Sequence, residues 1–177
     1  KEPDLLAERA YAVWPDMESE LRERDQALCS LESARPLRDF DVLGFSLQYE
    51  LTYSNILQIL ELGKVPLRGS DRSQSDPLVV AGGPTATHAE PMAPFIDVFL
   101  IGDGEAKLPE LMRAWAAMKA DGLPRADRLL GIAKLGGFYV PSLYDSVPVA
   151  DTMMQVVEPA HTDAPFPIRR AIVENLG

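Results

Sequence analysis

One cysteine and two histidines occur in 177 residues. Cys29 has no partner within the chain, so no internal disulfide forms, and a cytosolic (cytoplasmic) setting is the expectation. A buried small hydrophobe is its ordinary role. His88 and His161 are too few for a self-contained metal centre. Long apolar runs are also missing. None approaches the ~20 residues of a membrane helix, and the start K-E-P-D-L-L-A-E-R lacks the apolar region of a signal peptide. Positive charge is scarce: 17 Lys and Arg stand against 27 Asp and Glu, a formal charge of -10. Such a chain repels phosphate backbones and anionic lipid, so neither nucleic acid nor a membrane is an expected partner. No repeat or low-complexity block is visible. No G-x-G-x-x-G follows a first strand, no phosphate loop of the G-x-x-x-x-G-K-[ST] type occurs, and no Ser-His-Asp or Cys-His set has a reason to be adjacent.

What is present is a rhythm. Apolar residues make up 46% of the chain, enough for one domain with a real core and a small appendage. D-V-L-G-F-S-L, P-L-V-V-A-G-G-P and D-V-F-L-I-G-D-G-E are short apolar runs that end in small or polar residues. With A-Y-A-V-W ahead of Pro15, they predict parallel strands near 9–14, 41–47, 77–81 and 97–101. Helical spacing separates or follows them. Pro15-Asp16 opens a helix carrying Met17 and Leu21 inward. Residues 50–62 place Leu51, Ile56, Ile59, Leu60 and Leu62 mostly on one face, with Gly63 as the C-terminal cap. A short helix is expected around 88–95. Residues 105–120 carry Leu108, Leu111, Met112, Trp115 and Met118 inward, and another short helix spans 124–133. Leu31, Leu37 and Phe40 anchor the loops before 41, and Trp14 and Trp115 read as core. Segments 136–145 and 151–159 pair as an antiparallel appendage, and residues 160–177 read as a linker leading elsewhere. The class is doubly wound α/β.

Open α/β sheets bind ligands beyond the carboxyl ends of their strands. That edge gathers Ser46, Gly82, Gly83, Gly102, Asp103, Gly104 and Glu105. Each has two readings. Gly82 and Gly83 either make a tight turn or let a ligand reach the backbone. Asp103 and Glu105 either serve a helix start or hydrogen-bond a ligand or neighbouring domain. Ser46 either satisfies its own turn or contacts a ligand. No Lys or Arg lies in these three turns, so a bound anion would rely on backbone N–H groups. His88 in H-A-E-P reads as a solvated or capping histidine.

Three stretches together resemble a known pattern: P-L-x-D-F-D-V-L-G-F-S-L-Q-Y-E-L-T-Y-S-N-I-L, then D-P-L-V-V-A-G-G-P, then E-P-M-A-P-F-I-D-V-F-L-I-G-D-G-E. They resemble the N-terminal region of radical-SAM proteins that carry a cobalamin-binding-like domain ahead of the catalytic barrel. The resemblance covers roughly residues 8–145. It implies a flavodoxin-like (Rossmann-like) parallel sheet, with Ser46 and Gly82-Gly83 in the loops after two of its strands. It implies domain limits of 1–145 for the α/β unit and 146–177 for a β appendage and a linker toward a radical-SAM barrel, which would be the partner in the same parent chain. The parent would use a [4Fe-4S] cluster and S-adenosylmethionine, with or without cobalamin.

Three departures stand out. The first central strand and its helix are missing, so the neighbouring edge needs a substitute, a second copy of the chain among the options. No D-x-H-x-x-G motif occurs, so histidine-ligated cobalamin has no support. The C-x-x-x-C-x-x-C cluster motif is absent. The expectation is therefore a non-catalytic accessory domain that shapes or covers a barrel's active site. A nucleotide- or flavin-binding regulatory module and a ligand-free interaction scaffold are the alternatives.

Overall fold

The computed structural model describes residues 2–150 and 152–173. The elements in order are α1 (Pro15–Glu23), β1 (Val42–Ser46), α2 (Tyr53–Leu62), β2 (Leu78–Gly82), β3 (Val98–Leu100), α3 (Lys107–Ala120), α4 (Arg125–Lys134), β4 (Phe138–Tyr139), β5 (Tyr144–Pro148) and β6 (Gln155–Pro159). Short 3-10 turns join several of them. Strands β1, β2 and β3 lie side by side and parallel, and β4 closes the sheet antiparallel to β3. Successive residues Leu78, Val79, Val80 and Ala81 are all buried, so both faces of β2 are covered by flanking structure. This is a mixed α/β fold of the flavodoxin-like kind, with β1 at a sheet edge.

The helices form where the spacing places them, and each is held by its own part of the apolar face. In α2 the buried residues are Ile56, Leu60 and Leu62. In α3 they are Leu111 and Trp115. In α4, Leu129, Ile132 and Ala133 are buried together with two arginines, Arg125 and Arg128.

Several expectations are corrected. Residues 9–14 form no strand. That stretch is tied to the loop at 31–33 by the Leu31 N–H, which donates to Arg9 O at 2.8 Å, and by side-chain links from Arg9 to Glu32 and from Ser33 to the adjoining Glu8. Strand propensity in A-Y-A-V-W finds no ladder partner, and Trp14 is 81% exposed rather than in the core. Among the described residues, β1 pairs on one side only, with β2. Helix α1 packs through Leu21 alone, leaving Met17 on the surface, and Leu31 and Leu51 are likewise exposed. The expected helix around 88–95 is two 3-10 turns, Pro84–His88 and Glu90–Met92, because Pro91 and the short span between β2 and β3 leave no room for a full α-helix. Gly63 caps α2 as expected, but the left-handed angle falls on the residue after it. Gly63 keeps a helical φ of -71°, with Leu37 packed against it, and Lys64 takes the left-handed position at φ 58°. Residues 136–145 divide between two sheets. Phe138 and Tyr139 join the main sheet, where Tyr139 stacks on Phe99 at 5.9 Å, and only β5 pairs with β6 in the expected hairpin.

One carboxylate organises the amino-terminal end of the sheet. Asp97 stands just before β3, and its Oδ2 accepts the Val79 N–H at 2.8 Å and an Arg125 N–H at 2.9 Å. Arg72 Nη1 lies 2.9 Å from the same oxygen, angled as an ion pair without hydrogen-bond alignment. Arg72 also donates to the carbonyls of Pro66, Leu67 and Phe95, and Arg125 to those of Ser73, Asp76 and Pro77. Arg128 holds Gln74 and lies over the Trp115 ring, 4.3 Å from its centroid, where the ring face compensates guanidinium N–H groups that have no hydrogen-bond partner. Burial lowers the pKa of Arg72, opposed by the Asp97 charge.

Removing this anion leaves two guanidiniums buried without a counter-charge. Asp97→Asn, which keeps the shape, is expected to lower unfolding free energy by about 3–5 kcal/mol in urea titrations. The exposed Lys119–Asp41 pair provides the control, since Asp41→Asn is expected to cost less than about 1 kcal/mol.

Candidate functional site

The carboxyl edge of the parallel strands holds two corners. At the first, Ser46 and Gly82 are direct partners in the β1–β2 register. Leu47 N–H donates to Gly82 O at 2.7 Å, and Leu47 O accepts from both the N–H and the hydroxyl of Thr85. Gly83 has φ 109°, and a Cβ there would stand 3.0 Å from Leu47 O and 3.3 Å from Ser46 Oγ. The glycine is needed both for its backbone angle and for this approach. Ser46 and Gly83 are exposed, and Gln48 Nε2 donates to Ser46 Oγ at 2.7 Å. The structure thus brings Ser46, Gly82 and Gly83 together in an open corner.

The second corner is already occupied by the chain's own tail. Gly102 has φ 106° and forms a parallel bridge with Ala171. Ala171 N–H donates to Ile101 O at 2.7 Å, Asp103 N–H to Ala171 O at 3.0 Å, and Val173 N–H to Asp103 Oδ2 at 2.9 Å. The described part of the tail is therefore docked across the strand ends and is no free linker; residues 174–177 lie outside the described residues. Gly102 is small so that residue 171 can pass, and Asp103 holds a backbone N–H of the tail. Gly104 packs near the Leu100 side chain, which also contacts Gly82, and this links the two corners. Glu105 is exposed just ahead of α3, which starts at Lys107.

Beside the second corner lies a cavity of about 570 Å³. Its lining includes Ala86, His88 and Glu90 from the turns after β2, Ile101, Tyr139, Tyr144, Val157 of the hairpin, and Phe166 and Ile168 of the tail. Tyr139 donates its hydroxyl to Glu90 Oε1 at 2.7 Å. Burial, then the Glu90 carboxylate, pushes the Tyr139 phenol well above its ordinary value, so it stays a neutral donor. Sequence reasoning missed this cavity. Glu90 and Tyr139 stand 49 residues apart, and they meet only because β4 turns back antiparallel to β3. The acid following Gly-Gly-Pro in H-A-E-P was the one local signal.

The family model described as "Radical SAM proteins, N-terminal" matches residues 1–141. The chain belongs to that family. No curated protein and no solved structure matches it. Membership implies an iron–sulfur cluster and S-adenosylmethionine in the parent protein. The residues of this radical-SAM N-terminal domain do not fit the cluster. Its single cysteine is half-buried with its thiol against Ala27 O, and among the described residues no group of three or more His, Cys, Asp or Glu side chains is arranged for a metal. No D-x-H-x-x-G motif occurs among these residues, and the tail covers the Gly102–Asp103 turn.

A methyl group at Gly102 collides with the Ala171 backbone. Gly102→Ala is expected to release the tail, speeding proteolysis within 160–173 by about tenfold or more and costing about 1–3 kcal/mol. In Gly104→Ala the new methyl meets only the Leu100 side-chain tip at 3.2 Å, and digestion should stay near the wild-type rate.

Proposed function

We propose that this chain is a non-catalytic N-terminal domain whose strand-end rim shapes or covers the active site of a radical-SAM barrel in the same parent protein. The observation behind this reading is the open corner of Ser46, Gly82 and Gly83, at the carboxyl edge where α/β sheets meet ligands. Its polar groups are backbone amides, the Ser46 hydroxyl and the Gln48 amide. These recognise and orient, and none of them is suited to acid–base or covalent chemistry at neutral pH. Gly102, Asp103, Gly104 and Glu105 have a different role in this reading: they fasten residues 171–173, so that the tail leaves the domain beside the corner it serves. The cytoplasm is the natural compartment for such a parent, given the lone half-buried cysteine. Among the described residues no helix is long and apolar enough to cross a membrane.

The one-sided pairing of β1 supports a further element. An unpaired strand edge is a template on which another strand can pair, here one from the parent protein or from a second copy of the chain. A dimer by light scattering would identify the second copy, and a monomer the parent.

Hydrogen exchange compares the chain with the intact parent. Amides of residues 46–48, 82, 83 and 85 are expected to exchange at least about tenfold more slowly in the parent, where the barrel covers them. Equal rates in both would put the barrel on another surface. Gly83→Val is expected to cost about 1–3 kcal/mol, from its positive φ and the Leu47 contact, and to lower turnover of the parent. Absorbance titration of the chain with flavin tests the regulatory-module reading, which tight flavin binding would favour.

A further inference from the structure

The cavity beside the tail has a chemistry that the rim does not need. Its volume of about 570 Å³ falls in the range that holds a small organic molecule. Three aromatic rings line it. Tyr139 and Tyr144 lie 5.2 Å apart, tilted by 54°. Phe166, from the tail, is 62% exposed, a large apolar side chain left facing the opening. Ring faces carry negative potential and attract cations.

A carboxylate stands among these rings. Glu90 lines the cavity and accepts one hydrogen bond, from Tyr139. A carboxylate offers about four acceptor positions, so one phenol leaves most of its capacity unused. No Lys or Arg is among the lining residues. The other polar lining is Thr87 and His88, whose Oγ1 and Nδ1 stand 3.4 Å apart at one side.

These groups select by charge. An anion placed here meets the Glu90 carboxylate with no Lys or Arg to offset the repulsion. A neutral apolar ligand buries the carboxylate further with nothing to offset its lost hydration. A cation is attracted by the carboxylate and by the rings, and the formal charge of -10 on the chain adds long-range attraction. Ile101, Val157 and Ile168 supply apolar walls for the rest of the ligand.

We propose that this cavity is a binding site for a small organic cation, a substituted ammonium on an aromatic or branched apolar body, with its charge held by Glu90 and the rings of Tyr139, Tyr144 and Phe166. Tyr139 is a positioning residue: its neutral hydroxyl fixes one carboxylate oxygen and leaves the other for the ligand. The site does not depend on how the Ser46–Gly83 corner is used.

The test is calorimetric titration of the whole chain with three probes: choline, its neutral isostere 3,3-dimethylbutan-1-ol, and benzyltrimethylammonium. Choline is expected to bind at least about tenfold more tightly than the isostere, and benzyltrimethylammonium more tightly still. Aromatic NMR signals of Tyr139, Tyr144 and Phe166 should shift on binding. Glu90→Gln keeps an acceptor for the Tyr139 hydroxyl, and unchanged thermal melting confirms that the variant is folded. It should weaken both cations by about tenfold and leave the isostere unchanged. Tyr139→Phe keeps the ring and should weaken the cations by less than Glu90→Gln does. Equal affinity for choline and its isostere, no binding of either cation, full cation affinity in folded Glu90→Gln, or shifts at rings outside the cavity would each overturn the proposal.

Discussion

The Asp97 carboxylate is the contact on which the rest of the domain depends. From one position before β3 it holds the Val79 backbone, Arg72 and Arg125. Through these it fixes the register of β2 against β3, the loops at Pro66–Leu67 and at Phe95, and the start of α4. Arg125 and Arg128 then both lie over Trp115, at 5.4 and 4.3 Å, so α3 is drawn into the same cluster. Two guanidiniums around one buried carboxylate, and a third stacked close by, are an expensive arrangement. It is tolerated because Arg72 and Arg125 donate to six backbone carbonyls of the surrounding loops, groups that need partners when buried, and the Trp115 ring lies against Arg128. The cluster specifies which loops meet at this end of the sheet.

The opposite end of the sheet is built differently. The arginine cluster closes the amino-terminal edge with charge and long side chains. The carboxyl edge ends in glycines and small polar residues that let backbones approach. One approach, at Gly102, is taken by the chain itself, since residues 171–173 lie across the turn. The other, at Gly83, is left open. The carboxyl edge is also the one at which open α/β sheets in general bind ligands. Here the carboxyl end is subdivided again, into an open corner, a tail-covered corner, and an open apolar cavity bordered by the tail and the hairpin.

Much of the rim was legible in the sequence. Ser46, Gly82 and Gly83 close two adjacent apolar runs, and parallel pairing must bring such ends together. The same reasoning grouped Gly102 to Glu105 correctly but left its occupant unknown. That Ala171 passes Gly102 within backbone contact depends on the path of a segment with two prolines and no periodic pattern. The cavity was hidden for the same reason. Glu90, Tyr139 and Phe166 come from a turn, a two-residue strand and the tail, and none of these carries a periodic signal that relates it to the others.

The sequence alone determined the local elements and their order. Alternation and helical spacing reflect which faces must be buried, and a segment keeps that pattern wherever it lies. So β1, β2, β3, α2, α3 and α4 could be read directly, along with the family to which the pattern belongs. Tertiary structure decided what depends on partners. A-Y-A-V-W has the composition of a strand and forms none, because strand formation needs a neighbour to complete its hydrogen bonds. Phe138 and Tyr139 leave the hairpin for the main sheet because β3 offers them a free edge and Phe99 a ring to stack on. Arg125 and Arg128 sit on a helix that reads as ordinary and amphipathic, yet they are buried, because Asp97, Trp115 and the loop carbonyls surround them. Burial of charge is settled by partners far away along the chain, and a linear pattern carries no record of them.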